Sequence, residues 1–138
     1  MHHIAIMRQS WNLTSRILSG EKKIESRWYN TRYAPWDRIH AGDIVFFKEG
    51  KYVTAKAGVS KVMQFDSLNE KEVKELLDRY AEDDGIGDRK DYFFQLFKNK
   101  KYCILMFLSN PKEVKFSIKK KSPMASWICV DDVKSIRT

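Results

Sequence analysis

The sequence predicts an α+β domain built around a curved or closed β-sheet, flanked by helices and carrying a helical insertion. Several apolar stretches alternate with the two-residue period of strands, whereas an early segment and an acidic segment follow the helical period. Helices do not alternate regularly with the strands, which argues against a doubly wound sheet. With 138 residues the chain is long enough for one ordinary core, so we expect a single domain over residues 1–138.

One helix is predicted among four strands in the first half of the chain. This helix should end at Gly20, because glycine readily adopts the left-handed conformation of a C-terminal cap. The residues from Lys23 to Tyr29 then alternate between two faces, as in a half-buried strand. The predicted elements are a strand over 1–8, a helix over 12–19, and strands over 23–29 and 43–48. Residues 52–65 are predicted to form one long strand or a bent pair, with a bulge at Gly58.

The second half begins with the acidic segment, which predicts two helices. Ser67 and Glu70 fit a capping box, and Val73, Leu77 and Tyr80 recur on one face of the helix that follows. The remaining predicted elements are a loop over 83–88, a short helix ending at 98, and strands over 102–108 and 126–130. Phe93, Leu96 and Phe97 form one face of that short helix and are interpreted as a core face.

Positive charge is concentrated at the two ends of the chain. The net charge of +8 divides into +6 over residues 1–65, −5 over 66–91 and +7 over 92–138. This asymmetry favours a polyanionic partner on one surface with the acidic segment turned elsewhere, although a solubilising basic surface explains it equally well. The lysines that extend the basic surface, or form a solvated loop, are Lys112, Lys115, Lys119, Lys120 and Lys121.

Cysteine usage and hydropathy favour a cytoplasmic protein. Cys103 and Cys129 lie singly in apolar segments, so they are predicted to be free core thiols and not zinc ligands. The longest uncharged apolar run, over 102–108, is far shorter than the roughly 20 residues of a membrane-spanning helix. We therefore expect no membrane binding, no metal and no cofactor.

The strongest functional signal follows the first predicted helix. Residues 20–27 read Gly-Glu-Lys-Lys-Ile-Glu-Ser-Arg, and Gly42 and Asp43 precede an apolar strand further on. This pattern resembles the G-x-K-x-x-E-x-R signature of the ASCH domain, a family of the PUA-like superfamily, and the resemblance extends from His2 to about Val130. It implies a PUA-like curved β-barrel flanked by helices, a cleft lined by the motif, and a role involving RNA.

The motif residues also have a physical interpretation of their own. Glu25 and Arg27 are two positions apart in a predicted strand, so their side chains leave the same face and can form an ion pair. Lys22 precedes that strand, which places two cations and one carboxylate near one site. Such a site suits a phosphate, a base edge or an amide carbonyl. A salt bridge that closes the barrel is the structural alternative.

A second candidate binding segment runs from Arg27 to Arg38, where four aromatic residues are interspersed with three arginines in a predicted loop. Single-stranded nucleic acid binds to such residues, because bases stack on rings and arginines contact phosphates. Alternatively, the tryptophans anchor the loop to the core. The predicted ligand-binding residues are Lys22, Glu25, Arg27, Trp28, Tyr29, Arg32, Tyr33, Trp36 and Arg38.

These observations favour an RNA-binding ASCH domain, a monomer or weak dimer, whose cleft holds a single base, plain or modified. One ASCH branch hydrolyses acetylcytidine with the motif lysine, a threonine and a glutamate. Here Glu25 replaces the threonine, and Lys22 with Glu25 would be catalytic if burial and Arg27 lower the pKa of Lys22. A nucleoside-sized ligand, a ribonuclease activity like that of other ASCH members, and a protein-binding role of the acidic helix remain alternatives.

Overall fold

The computed structural model describes residues 1–119 and 125–138, and within these ranges it contains six strands and three α-helices. The predicted lysines Lys120 and Lys121 lie outside the described residues. The strands are β1 (His2–Met7), β2 (Ile24–Tyr29), β3 (Ile44–Glu49), β4 (Tyr52–Phe65), β5 (Tyr102–Phe116) and β6 (Trp127–Val130). The helices are α1 (Leu13–Ser19), α2 (Glu70–Tyr80) and α3 (Lys90–Phe97).

All six strands belong to one curled sheet, in the spatial order β2-β5-β4-β3-β1-β6. The pairing of β1 with β3 is parallel, and the other pairs are antiparallel. The register between β4 and β5 shifts at three places, one of them between Lys56 and Gly58. Because bulges bend and twist a strand, these shifts account for the curl, and the curved sheet and the bulge expected at Gly58 are confirmed.

Two groups of buried side chains pack on opposite faces of the sheet. The larger group lies under the helices and includes Ile17 of α1, Val73 of α2 and Phe93 of α3. On the other face, Ile4 packs with a smaller group that includes Ile136 near the C-terminus. The helices therefore cover one face, and the site described below forms on that side.

The start of α2 differs from the prediction. Asn69 accepts a hydrogen bond from the Glu72 amide at 2.8 Å, and the Glu72 carboxylate accepts one from the Asn69 amide at 3.2 Å. The capping box is therefore formed two residues after the predicted pair, Ser67 and Glu70, which was wrong. Ser67 has a left-handed φ of 53°, whereas a residue that caps a helix N-terminus is extended.

Other predicted elements are confirmed with changed limits. The first helix is capped by Gly20 at φ 84°, as expected. The strand predicted to end at Leu108 continues to Phe116, because its long partner β4 supplies pairing beyond that point. Cys103 is a buried free thiol and Cys129 a half-buried one. In the described ranges no helix has the length and apolar character needed to cross a membrane.

Candidate functional site

A cavity of about 400 Å³ lies beside the edge strand β2, within the range of volumes typical of small-ligand sites. Aromatic side chains form much of its apolar wall, and two of them, Phe93 and Phe97, lie on α3. Residues of both faces of β2 reach the cavity, because no further strand pairs with its outer edge in the described sheet. The apolar lining includes Trp11, Leu13, Trp28, Ile86, Phe93, Leu96 and Phe97, and the polar lining includes Arg8, Lys22, Glu25, Ser26, Arg27, Asp84 and Lys100.

The ammonium group of Lys22 is enclosed at the polar end of the cavity. Its Nζ donates hydrogen bonds to the Ile24 carbonyl at 2.6 Å, to the Asp84 carbonyl at 2.7 Å and to Asp84 Oδ1 at 2.6 Å. Glu25 Oε1 lies 3.3 Å away, and the Lys22 side chain is 0% exposed. The three ammonium protons are therefore all engaged by groups of the protein itself.

The pKa of Lys22 is raised, so the lowered pKa on which a catalytic Lys22 was made conditional is not found. Burial alone disfavours the charged form, but the carboxylates of Asp84 and Glu25 outweigh it. The sequence-based interpretation took only burial and Arg27 into account for this pKa. It did not include Asp84, which belongs to the acidic segment. Lys22 therefore stays a protonated hydrogen-bond donor.

Asp84 is the site residue that sequence reasoning missed. It is 62 positions from Lys22 along the chain, so no local spacing rule connects the two. The acidic segment was expected to turn away from the basic surface, but its loop returns to the motif. The Asp83 carbonyl accepts hydrogen bonds from the amides of Lys23 at 2.6 Å and Ile24 at 2.9 Å. Backbone contacts thus hold Asp84 against the start of β2.

The two carboxyl groups of the site have opposite pKa shifts. For Glu25, burial works toward a higher pKa, but Lys22 and Arg27 together lower it, so this group stays ionised. For Asp84, burial and the nearby negative charge of Glu25 both raise the pKa, and together they outweigh the attraction of Lys22. The pKa of Asp84 is therefore raised to about 6. Asp84 therefore titrates near neutral pH inside a cavity, a property common at functional sites.

A short chain of hydrogen bonds connects Asp84 to the aromatic wall. The Ser26 hydroxyl donates to Asp84 Oδ2, and Trp28 Nε1 donates to the Ser26 oxygen at 3.1 Å. The Trp28 ring is stacked on Phe97, with 4.9 Å between centroids. These contacts fix the polar groups and the wall of the cavity relative to one another.

Arg27 forms the expected ion pair with Glu25 and also spans the gap between the sheet edges. Its guanidinium lies 3.1 Å from Glu25 Oε2. It donates to the Ile6 carbonyl of β1 and to the Ser126 carbonyl before β6, both at 3.3 Å, and lies 5.0 Å from the Trp127 ring centre. Both interpretations given above, a ligand-facing cation and a salt bridge that closes the barrel, are compatible with this position.

Some residues of the predicted aromatic segment line the cavity, and others lie outside it. Trp28 and Tyr29 line the cavity, together with the motif residues. In the described part of the chain, four predicted residues lie outside its lining: Arg32, Tyr33, Trp36 and Arg38. Trp36 packs edge to face on Tyr102, with 5.2 Å between centroids, and so anchors the loop. The proposed ligand contacts of these residues remain predictions.

Two cations of the cavity, Arg8 and Lys100, were also missed, as was the lining role of α3. The α3 residues Phe93, Leu96 and Phe97 were interpreted as a core face. Phe93 does belong to the core, but all three also line the cavity. Over residues 1–119 and 125–138, no group of three or more His, Cys, Asp or Glu side chains is arranged to hold a metal ion.

Gly85 allows the acidic loop to pack closely on Lys22, and replacing it by alanine should be costly. A Cβ at Gly85 would lie 2.9 Å from Lys22 Cβ, and φ is +75°. We expect Gly85→Ala to lower the free energy of unfolding by about 1–2 kcal/mol through backbone strain and by about 1–3 kcal/mol more through overpacking. Chemical denaturation measures both effects.

Gly20→Ala is the matched control for this substitution. Gly20 has a similar φ of +84°, but a Cβ there meets no described atom within 4 Å. Gly20→Ala should therefore cost only the backbone part, about 1–2 kcal/mol. Equal losses for the two variants would contradict the close packing of Gly85 on Lys22.

The curled sheet, its helical cover and the cavity beside β2 make up an α+β domain. Among solved structures, ASCH from Zymomonas mobilis matches with a TM-score of 0.68 and 14% identity over 97% of this chain and 90% of that chain. Two point mutants of the same protein match with TM-scores of 0.72 and 0.67, also at 14% identity, covering 93% and 91% of their chains. The expected ASCH, PUA-like fold is thereby confirmed. No protein-family profile matches the sequence, and no curated protein does.

Proposed function

We propose that this domain binds single-stranded RNA and holds one unpaired base, plain or modified, in the cavity beside β2. The cavity carries the proposal: about 400 Å³, with an aromatic wall and a charged, hydrogen-bonding end. RNA-binding proteins recognise unstacked bases by stacking on aromatic rings and by hydrogen bonds to base edges. Glu25 and Asp84 supply acceptors suited to an exocyclic amino group, such as that of cytosine.

Cations around the cavity support a ligand that carries phosphate. Arg8, Arg27 and Lys100 all contribute to the lining. Arg8 is exposed, and its guanidinium lies 4.9 Å from the Trp11 ring centre, which orients it beside the cavity. Phosphate contacts position a strand, whereas contacts to the base select it. The arrangement therefore suits a nucleotide within a strand better than a neutral ligand.

Filling the cavity should abolish tight RNA binding. Leu96 lines the cavity and is 40% exposed, so Leu96→Trp adds a ring there without disturbing the buried charges. We expect the affinity for a fluorescein-labelled single-stranded RNA of about 12 nucleotides to fall at least tenfold, because the indole takes the place of the base. Fluorescence anisotropy at low and moderate salt measures this change.

Tyr92→Trp is the matched control, because Tyr92 lies on the same helix, is 46% exposed and is absent from the cavity lining in the described chain. This variant should bind RNA as the unchanged protein does. If Leu96→Trp also binds with unchanged affinity, the cavity is not the RNA site. If the unchanged protein binds no RNA even at low salt, the proposed function is wrong.

A second candidate function, hydrolysis of the acetyl group of a modified cytidine, is favoured by one observation. Asp84 is a buried carboxyl group with a pKa of about 6, in the cavity and beside a protonated lysine. Such a group suits a general base that removes a proton from water as it adds to the acetyl carbonyl. Cleavage of the C–N bond then gives cytidine and acetate. In this form of the hypothesis Asp84, and not Lys22, is the base.

A further inference from the structure

We infer that Tyr33 is a stacking platform for the nucleotide next to the base in the cavity, so that the ligand is a base within a strand and not a free nucleoside. This inference rests on the proposed function and narrows its ligand class. It depends on the position of Tyr33, its exposure and the cations around it.

Tyr33 continues the aromatic lining of the cavity outward. Tyr29 lines the cavity, and its hydroxyl donates to the Ala34 carbonyl at 2.9 Å. The ring of Tyr33 lies 5.6 Å from that of Tyr29, centroid to centroid, at an angle of 55°. Successive bases of a single strand stack on successive aromatic side chains of a binding surface. A strand with one base in the cavity therefore has a ring for its next base at Tyr33.

Exposure distinguishes Tyr33 from the other rings of its segment. Trp28 is buried against Phe97, and Trp36 is half-buried against Tyr102. Trp28 belongs to β2 and lines the cavity, Trp36 anchors the loop, and Tyr33 is 50% exposed. Its ring is held near the cavity by an anchored loop while half of its surface remains accessible to a base. Trp36 thus anchors the loop, and Tyr33 is the ring of this loop that remains accessible to a base.

Cations also lie close to the region between the cavity and Tyr33. Arg32, next to Tyr33, is exposed, and its guanidinium lies 5.9 Å from the ring centre of Trp36 and 6.0 Å from that of Tyr102. The Lys101 amide donates to the Tyr29 carbonyl at 3.0 Å, which places the backbone of Lys100, a cation of the cavity lining, close to Tyr29. The ammonium group of Lys101 itself donates to the Leu68 carbonyl at 3.5 Å. Lys100 at the cavity and Arg32 next to Tyr33 therefore supply positive charge for the phosphate that would connect the two bases.

The test compares Tyr33→Ala and Tyr33→Phe with the same labelled RNA, using cytidine monophosphate as an unlabelled competitor. Tyr33→Ala should weaken RNA binding about fivefold or more, since a ring that stacks on a base is lost. Tyr33→Phe keeps the ring and should retain the affinity. Cytidine monophosphate occupies only the cavity, so it should compete with RNA with the same inhibitor constant for the unchanged protein and for both Tyr33 variants.

The outcomes separate this inference from the proposed function. If Leu96→Trp weakens RNA binding but Tyr33→Ala does not, the inferred stacking role of Tyr33 is wrong and the cavity remains the RNA site. If Tyr33→Ala changes the inhibitor constant of the mononucleotide as much as the RNA affinity, Tyr33 acts on the cavity itself and the platform is again wrong. If Leu96→Trp changes neither the RNA affinity nor the inhibitor constant of cytidine monophosphate, the cavity does not hold a base and the proposed function is wrong. The same conclusion follows if cytidine monophosphate does not compete with RNA.

Discussion

Replacing Lys22 by methionine is expected to lower the free energy of unfolding by about 3–5 kcal/mol, the range measured when one partner of a buried ion pair is removed. Methionine keeps much of the length of lysine but has no charge. The carboxylates of Asp84 and Glu25 and two buried carbonyls would each lose a contact with Nζ. Urea unfolding followed by circular dichroism measures the loss.

The neighbouring Lys23→Met is the control, because Lys23 is exposed and its replacement should leave the stability nearly unchanged. Adding Asp84→Asn to Lys22→Met should recover part of the loss, because the double variant no longer buries that negative charge. A loss below about 1 kcal/mol for Lys22→Met, the size of an exposed ion pair, would contradict the enclosed ammonium described above.

The stability lost in Lys22→Met should also depend on pH. The attraction of Lys22 lowers the pKa of Asp84, so its removal raises that pKa further above about 6. A carboxyl group whose pKa is higher in the folded than in the unfolded state stabilises the fold at low pH, and this contribution is lost as pH rises through the folded pKa. The stability deficit should therefore be greater at about pH 8 than at about pH 5.

If the cavity hydrolyses acetylcytidine, Asp84→Asn should lower the turnover rate by about a hundredfold or more, the usual contribution of a general base. Asparagine preserves the shape of the side chain but cannot accept a proton from water. Because the carboxylate is the active form, the rate of the unchanged protein should rise with pH through about 6 and then level off. Chromatographic measurement of cytidine release gives both results.

Asp83→Asn provides the neighbouring control, since Asp83 is exposed and contacts the motif through its backbone carbonyl. Its turnover rate should match that of the unchanged protein. Absence of turnover by the unchanged protein at high concentration would reject hydrolysis of this substrate and leave RNA binding to be judged by Leu96→Trp. A rate that falls as pH rises through about 6 would instead assign Asp84 the role of an acid.

The local features of the site followed from the sequence. Gly20 ends α1, and the two-residue alternation of β2 puts Glu25 and Arg27 where they form an ion pair. Both depend on interactions between residues that are near neighbours along the chain, which backbone geometry determines. The same reasoning, together with the resemblance of residues 20–27, gave the fold class that the structure confirms.

The limits of local reasoning are visible at α2 and β5. Two overlapping patterns, Ser67 with Glu70 and Asn69 with Glu72, match a capping box equally well in the sequence, and only the backbone conformation of Ser67 decides between them. The length of β5 depends on its long partner β4, which pairs with it up to Phe116. In both cases the deciding interaction lies outside the segment that was interpreted.

The sequence by itself determined the helix and strand that carry the motif, and therefore the positions of Lys22, Glu25 and Arg27 relative to one another. Only the tertiary structure decided what surrounds them. Asp84 reaches Lys22 from 62 positions away, because the acidic loop packs on the motif through backbone hydrogen bonds and a glycine. That contact raises the pKa of Lys22, which burial alone would lower, since the ionisation of a buried group depends on its nearest charges, which the fold brings together.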